Sequence, residues 1–199
     1  LHIAYSPDLG GVAVDPEVRE VVGRAASSFE AMGATVEEPG FKIDSPEAMF
    51  DLLMTIWHCR TYATNGHLLE HREMLTDYFR DGLDGGQKIT GEQLWDAYSR
   101  LEFYRHYVQE FFKSYDLLLT PTLATPAFKV GEHPDVIGGV TVPDKLWGFT
   151  PFTYPFNMCG NPAATAPAGF SNDGLPIGLH IVGRWGDEET VLAASKSFE

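Results

Sequence analysis

The first 37 residues follow a strand, helix, strand order, which constrains the fold more than any other feature of the chain. Residues 1–5 are apolar and end at Ser6-Pro7, and Pro16 then stands where a helix begins. Apolar side chains recur at the helical period up to Gly33, namely Val18, Val21, Val22, Ala25, Phe29 and Met32. Residues 35–37 form a second strand pattern. This order predicts two parallel strands joined by a right-handed helical crossover.

The middle of the chain is predicted to be mostly helical. Ser45-Pro46-Glu47 opens one helix, Asn65-Gly66 breaks it, and Thr90 with Gln93 forms a capping box before another. A helical pattern from residue 67 to 79 is expected to stop at the glycine-containing dipeptides Asp81-Gly82 and Gly85-Gly86. The predicted helical spans are 45–63, 67–79 and 90–113, followed by a short buried strand at 116–120.

Residues 121–152 are predicted to form a long irregular loop. They contain five prolines and four glycines, and such a segment within a compact domain is usually functional or disordered. Its end is aromatic, with Trp147, Phe149, Phe152 and Tyr154, which favours an ordered loop facing a ligand. Residues 163–170 and 175–182 flank Asp173-Gly174 and predict a β-hairpin, and Asp187 is predicted to cap a last helix.

The charge balance excludes several classes of partner. The 199 residues carry 28 acidic and 14 basic side chains, a formal net charge of −14, which disfavours nucleic acid and anionic membranes. No apolar run has the length of a membrane span. The two cysteines form no Cys-x-x-Cys pair, as is typical of the reducing cytoplasm.

The length predicts a single domain over 1–199. Because the first residue is Leu1 and the last residues look like a helix that stops abruptly, both ends are expected to be cuts within a longer protein.

Motifs for catalysis are weak within these residues. His67, Glu70 and His71 match the H-x-x-E-H zinc motif, yet a solvated helix face with pairing to Arg72 explains them as well. No third ligand is evident, so neither a metal nor a cofactor is predicted. The chain has no G-x-S-x-G elbow and no phosphate-binding glycine loop, so no catalytic residue is predicted in it.

The most informative stretch is residues 150–169, in which four prolines and two glycines restrict the backbone. Asn157 and Asn161 could orient a ligand in an apolar pocket or merely cap turns, and the residues alone leave both open. Cys159 has no adjacent positive charge, which favours an inert side chain over a reactive thiolate.

Several motifs together resemble the carboxy-terminal part of the amidase signature family. They are P-F-N-M-C-G-N-P-A at 155–163, P-A-G at 167–169, D-G-L-P-I-G-L-H-I-V-G-R at 173–184, D-L-L-L-T-P-T at 116–122, P-A-F at 126–128 and A-M-G-A-T-V at 31–36. The resemblance implies an α/β/α sandwich around a mixed sheet, and hydrolysis of an amide C–N bond by a serine, a second serine and a lysine. Those three residues would precede Leu1. Because the family is about twice as long, this chain would be an incomplete domain that partners the amino-terminal half of the same protein.

Departures from the family pattern narrow the expected substrate. Cys159 stands where threonine or alanine is frequent and His180 where glutamine is common, and both resemble scaffold variation. The branch that serves as a subunit of the tRNA-dependent amidotransferase has an acidic residue that holds glutamine, whereas this chain has no carboxylate between Asp144 and Asn157. A general amidase with an aromatic-lined pocket for a small-molecule amide is therefore favoured. The amidotransferase subunit remains an alternative, as does a non-catalytic scaffold domain.

The expected substrate surface lies near the end of the 117–120 strand. Five side chains are predicted to line it, namely Trp147, Phe149, Phe152, Asn157 and Cys159. In the competing interpretation, these aromatic residues fill the core beneath the hairpin. A chain lacking its amino-terminal half would also expose a sheet edge, so self-association into a homo-oligomer is expected of the isolated chain.

Overall fold

The computed structural model describes residues 1–43 and 46–199, so the predicted helix start at Ser45 lies outside the described residues. The chain divides into two compact units. The larger contains Leu1–Pro46 and Tyr107–Glu199, and the smaller contains Glu47–His106. No helix among the described residues is long and apolar enough to cross a bilayer.

The larger unit is built on a mixed five-stranded sheet. Its strands are β1 (His2–Tyr5), β2 (Thr35–Glu37), β3 (Leu117–Pro121), β6 (Ala163–Phe170) and β7 (Pro176–Gly183), in the spatial order β2-β1-β3-β7-β6. Strand β1 pairs in parallel with β2 and β3, whereas β7 runs antiparallel to both β3 and β6. The predicted parallel crossover and the predicted hairpin are both confirmed, as is the α/β class with helices flanking a mixed sheet.

Helices α1 (Pro16–Ala31) and α6 (Glu188–Phe198) pack against one face of this sheet. Asp15 and Asp187 cap their first turns by accepting backbone N–H hydrogen bonds, as the sequence predicts for Asp187. The rings of Phe29 and Phe198 stack with centroids 5.4 Å apart, so the two helices lie side by side. Every residue of β3 is buried, which places the core at the centre of the sheet.

The chain between β3 and β6 is irregular but contains short regular elements. Strands β4 (Val136–Ile137) and β5 (Val140–Thr141) form a small hairpin, and α5 (Tyr154–Cys159) precedes β6. At the hairpin turn, Gly138 has φ +56° and a Cβ there would overlap the carbonyl oxygen of Val14. A glycine is therefore required where this segment crosses the chain that leads into α1.

The smaller unit is helical and differs in detail from the prediction. Its elements are α2 (Pro46–Asn65), a 3₁₀ helix (Gly66–Met74), α3 (Asp77–Lys88) and α4 (Gly91–Phe111). The last turn of α4, after His106, belongs to the larger unit. The break after Asn65 and the capping box are confirmed, since Thr90 and Gln93 exchange two hydrogen bonds of 2.9 and 3.2 Å.

The prediction that a helix stops at Asp81-Gly82 and Gly85-Gly86 was wrong, because α3 continues through both dipeptides to Lys88. The physical reason is close packing of α3 against α2. A Cβ at Gly86 would overlap the carbonyl oxygen of His58, and a Cβ at Gly85 would lie 3.2 Å from the His58 ring. These glycines therefore let two helices approach each other and do not end one.

Candidate functional site

The candidate site lies where the parallel strands β1 and β3 end. Their carboxyl ends meet at the same edge of the sheet, since the backbone N–H of Ser6 donates to the carbonyl of Leu119 over 2.9 Å. Beyond β3, the N–H of Thr122 donates to Gly178 and the N–H of Ala124 donates to Phe149, both over 3.0 Å. The second bond fixes the aromatic segment predicted to carry the site beside the chain that leaves β3.

A tight turn presents Trp147. The Asp144 carboxylate accepts hydrogen bonds of 2.8 Å from the backbone N–H groups of Leu146 and Trp147. The hydroxyl of Thr150 donates to the Trp147 carbonyl over 2.7 Å. A Cβ at Gly148 would overlap the Asp144 carbonyl oxygen. The turn is thus fixed on both sides of the half-buried indole.

Phe149 belongs to a small aromatic cluster on this segment. Its ring meets Phe128 edge-on with centroids 5.0 Å apart, and His133 lies 5.1 Å from Phe128. All three rings are half-buried, so each keeps surface that faces solvent. A surface that includes two phenyl rings suits an apolar group of a ligand better than a charged one.

The remaining predicted site residues differ in exposure. Phe152 is 0% exposed and Cys159 is 3% exposed, so both lie within the packed interior. Asn157 is exposed on α5, and its backbone N–H donates to Thr153. The structure thus leaves Trp147, Phe149 and Asn157 with accessible surface. That all five residues line one concave surface stays a prediction.

Asn161, for which a ligand role and a turn role were both open, has a structural contact. Its side-chain amide donates to the Gly183 carbonyl over 2.8 Å, which ties the end of α5 to the end of β7. Gly160, with φ +79°, ends α5 in the left-handed conformation just before it.

His180 is the group in this region that the sequence interpretation assigned to the scaffold. It lies on β7, is 5% exposed, and its ring centroid is 5.9 Å from that of the fully buried Phe156. Burial lowers the pKa of His180 to about 4, because the imidazolium would lose its hydration. The ring is therefore neutral near pH 7. A lone histidine among the apolar residues of β7 is the sequence feature that could have marked it.

The opposite edge of the sheet carries an ionic network. His2 Nε2 lies 2.8 Å from the Glu37 carboxylate, and Tyr115 donates to the same carboxylate over 3.2 Å. The hydrogen bond between His2 and Glu37 raises the pKa of His2 and lowers that of Glu37. The backbone N–H of His2 donates to Asp116, which also pairs with Arg184, and both contacts hold the pKa of Asp116 low.

The zinc motif does not have α-helical geometry. His67, Glu70 and His71 lie in the 3₁₀ helix, which has three residues per turn, and His71 has non-helical angles of φ −124° and ψ 45°. Positions four apart on such a segment do not share a face. Among the described residues, no group of three His, Cys, Asp or Glu side chains is arranged to hold a metal ion.

Comparisons with known proteins agree with this architecture. A family model described as Amidase matches residues 1–192. The chain is 33% identical to an acylamidase of Rhodococcus erythropolis and 32% identical to a glutamyl-tRNA(Gln) amidotransferase subunit of Brevibacillus brevis, with all of this chain covered in both. A bacterial aryl acylamidase of the amidase signature enzymes superposes with a TM-score of 0.89 and 30% identity over the whole chain.

The chain spans less than half the length of these proteins, with 42%, 44% and 43% of each covered respectively. The match nevertheless extends over both compact units, since the family model runs from residue 1 to residue 192. With the fold, the motifs and the family model in agreement, the chain belongs to the amidase family.

Proposed function

We propose that this chain is the carboxy-terminal portion of an amidase that hydrolyses a carboxylic amide C–N bond. In this proposal the chain supplies scaffold and one wall of the substrate pocket, while the serine, serine and lysine of the catalytic machinery lie upstream of Leu1. The amino-terminal part of the same protein is then its obligatory partner, and the chain alone is inactive. The match of the family model over residues 1–192 carries the proposal.

The pocket wall is proposed to be the aromatic segment that follows β3. The backbone bond from Ala124 to Phe149 fixes this segment, and the Asp144 turn presents Trp147. Phe152 and Cys159 support the wall from behind, and the exposed Asn157 offers an amide to the substrate. The substrate is proposed to be an uncharged small-molecule amide with an apolar or aromatic group. The acylamidase and the aryl acylamidase among the similar proteins support this class.

A subunit of the tRNA-dependent amidotransferase is the second candidate, because one such protein is 32% identical to this chain. Two observations favour the general amidase. The segment from Lys145 to Phe156 contains no carboxylate to hold the α-amino group of glutamine, and the net charge of −14 is unsuited to contact with tRNA. We also propose a cytoplasmic location, which the absence of a disulfide at Cys59 and Cys159 supports within the described chain.

The test compares the 199-residue chain with the protein that includes the segment upstream of Leu1. Hydrolysis of p-nitroacetanilide, followed by release of p-nitroaniline, is expected only for the longer protein. A glutaminase and tRNA transamidation assay is run in parallel and is expected to be negative. Hydrolysis by the 199-residue chain alone, or a longer protein active only on glutamine, would contradict the proposal. Size-exclusion chromatography of both proteins tests whether the isolated chain self-associates.

A further inference from the structure

Helix α4 carries two large aromatic side chains on a face that the described residues leave exposed. Trp95 is 74% exposed and Phe103 is 78% exposed. The opposite side of the helix packs into the chain through the buried residues Ala97, Leu101, Tyr104 and Val108. Because successive residues of an α-helix turn by about 100°, Trp95, Ser99 and Phe103 lie within about 80° of one another and form the α4 stripe. Two exposed rings on one helix face are typical of a contact site.

Ser99 lies at the middle of the α4 stripe and is its smallest member. It is four residues from each ring, which is about 6 Å along the helix axis in either direction. Its hydroxyl donates to the Trp95 carbonyl over 2.9 Å, so its proton is already used within the helix. A small side chain with no free donor allows a second helix to approach to the distance of about 8–10 Å that packed helices have.

Two polar residues continue the same face beyond the rings. Glu92 and His106 are both exposed, and each lies seven residues, about two helical turns, from Ser99. The carboxylate of Glu92 accepts hydrogen bonds, whereas an imidazole N–H of His106 donates one. A two-fold axis beside Ser99 that pairs two antiparallel copies of α4 places Trp95 of one copy against Phe103 of the other. The same axis places Glu92 against His106.

A groove beside the α4 stripe has room for the incoming ring. It lies between α2 and α4 and has a volume of about 550 Å³, within the range of about 300–1,000 Å³ of pockets that hold small molecules. Trp95 lines it together with the apolar side chains of Leu52, Ile89 and Ala97, and polar side chains complete the lining. The ring of Phe103 from a second copy, placed against Trp95, therefore meets apolar surface and removes it from water.

We propose that α4 is the contact helix of a homodimer, in which two antiparallel copies pair about a two-fold axis beside Ser99. The contact is isologous, since each copy supplies both members of each facing pair. This self-complementarity favours a second copy over any other occupant. The like charges of Glu102 and Asp96 meet at the margin, where Arg105 offsets them by pairing with Glu102 over 2.5 Å. The dimer goes beyond the proposed amidase function and does not depend on it.

The exposed area at the contact predicts a weak dimer. Large aromatic side chains bury about 150–250 Å² each, so the four rings of the two copies supply roughly 600 Å². Stable interfaces bury about 1,200–2,000 Å², and the groove and the polar pairs supply part of the remainder. We therefore expect a dissociation constant in the micromolar range.

The experiment is sedimentation velocity of the protein that includes the segment upstream of Leu1, at roughly 1–100 μM. Monomer is expected at the low end and dimer at the high end. Phe103→Glu places a charge against the Trp95 ring and is expected to raise the dissociation constant at least about thirtyfold. Leu192→Glu is the matched control, because Leu192 is an apolar residue of α6 that is 66% exposed, and it is expected to leave the constant unchanged. Circular dichroism checks that each variant folds.

A charge exchange distinguishes a direct contact from a folding defect. Glu92→Arg places a cation against His106, and His106→Glu places a second carboxylate against Glu92. Each is expected to weaken the dimer about tenfold. The double variant restores an opposite pair and is expected to return to within about threefold of the wild type. A double variant as weak as the two single effects combined would contradict the pairing.

A crosslink tests the position of the axis. Because the two copies of Ser99 meet there, Ser99→Cys is expected to form an intermolecular disulfide under mild oxidation. Ser27→Cys, an exposed position of α1, is the control and is expected to stay monomeric on a non-reducing gel. A protein that stays monomeric across the concentration range would overturn the proposal. A dimer that Phe103→Glu leaves intact, or that Ser99→Cys does not crosslink, would overturn it as well.

The upstream segment is the competing occupant of the α4 stripe. If it covers the stripe, the protein is monomeric and Ser99→Cys resists thiol reagents, which refutes the dimer. Hydrolysis of amides is measured separately. A monomer that hydrolyses amides refutes only the dimer, whereas a dimer that hydrolyses no amide refutes only the proposed function.

Discussion

Replacing His180 with glutamine is expected to remove a steep loss of stability in mild acid. The imidazole is neutral and buried in the folded chain, with a pKa of about 4, whereas the unfolded chain has the ordinary histidine value of 6.5. Each pKa unit corresponds to about 1.4 kcal/mol, so complete protonation lowers the free energy of unfolding by about 3 kcal/mol. Glutamine keeps a hydrogen-bonding side chain but has no proton to gain.

The sign follows from the protons bound by each state. Between pH 6.5 and about pH 4 the unfolded chain holds a proton on His180 that the folded chain lacks, so stability falls as the pH falls through this window. Above pH 6.5 both states are neutral and the contribution is constant. Burial is the cause, since the groups facing the ring from β3, β6 and α5 are Thr120, Thr165 and Phe156, none of which is charged.

The assay is urea unfolding followed by tryptophan fluorescence, at intervals of about half a pH unit from roughly pH 7.5 to 4.5. Other carboxylates also titrate there, so the informative quantity is the difference in unfolding free energy between the wild type and His180→Gln. We expect this difference to be constant down to about pH 6.5 and then to shift in favour of the variant by about 2–3 kcal/mol at roughly pH 4.5. A difference that stays flat across the window would refute the buried neutral imidazole, as would a ¹⁵N titration of His180 with a pKa near the ordinary 6.5.

Four further outcomes are expected. Phe152→Ala empties a fully buried position and should lower the unfolding free energy by about 3–5 kcal/mol in urea titrations. Trp147→Ala, in the protein that includes the upstream segment, should raise KM for bulky amides with kcat unchanged, and equal changes for acetamide would contradict a pocket role. His2→Gln should lower the free energy of unfolding at about pH 6. This effect should disappear as the pH rises through the raised pKa of His2, because the proton shared with Glu37 is then lost, and urea titrations below and above that pKa check it. Gly86→Ala should lower the melting temperature measured by circular dichroism, since its methyl group overlaps the backbone of α2. Gly33→Ala is the control: its methyl group meets no atom within 4 Å, so it measures only the cost of placing alanine at a positive φ.

The family assignment required no tertiary information, because it depends on short motifs at fixed positions. The stretch from Pro155 to Ala163 and the D-G-L-P-I-G sequence of the hairpin carry it, and the family model confirms it over the whole match. The strand, helix, strand order of the first 37 residues likewise fixed the parallel pairing of β1 and β2. Local patterns sufficed there because a helical crossover of this length has one favoured hand.

Glycines divided the sequence predictions into successes and failures. The glycine after α1 and the glycine of the β6–β7 turn both have positive φ and end elements as predicted. The glycines of α3 do not end their helix, because they pack closely against His58 and Tyr62 of α2. A helix break and a close helix contact use the same residue type, and sequence spacing does not separate them.

The sequence by itself determined the fold class, the parallel and antiparallel pairing, the helix caps and the family, because each depends on residues near one another in the chain. The tertiary structure alone decided which aromatic residues keep an accessible surface and which are core, with Trp147 half-buried and Phe152 enclosed a few residues away. It alone brought Thr120, His180 and Thr165 into one row, from three strands separated by up to 60 residues. Burial arises from contacts across the sheet, so it gives His180 a neutral ring that no local pattern encodes.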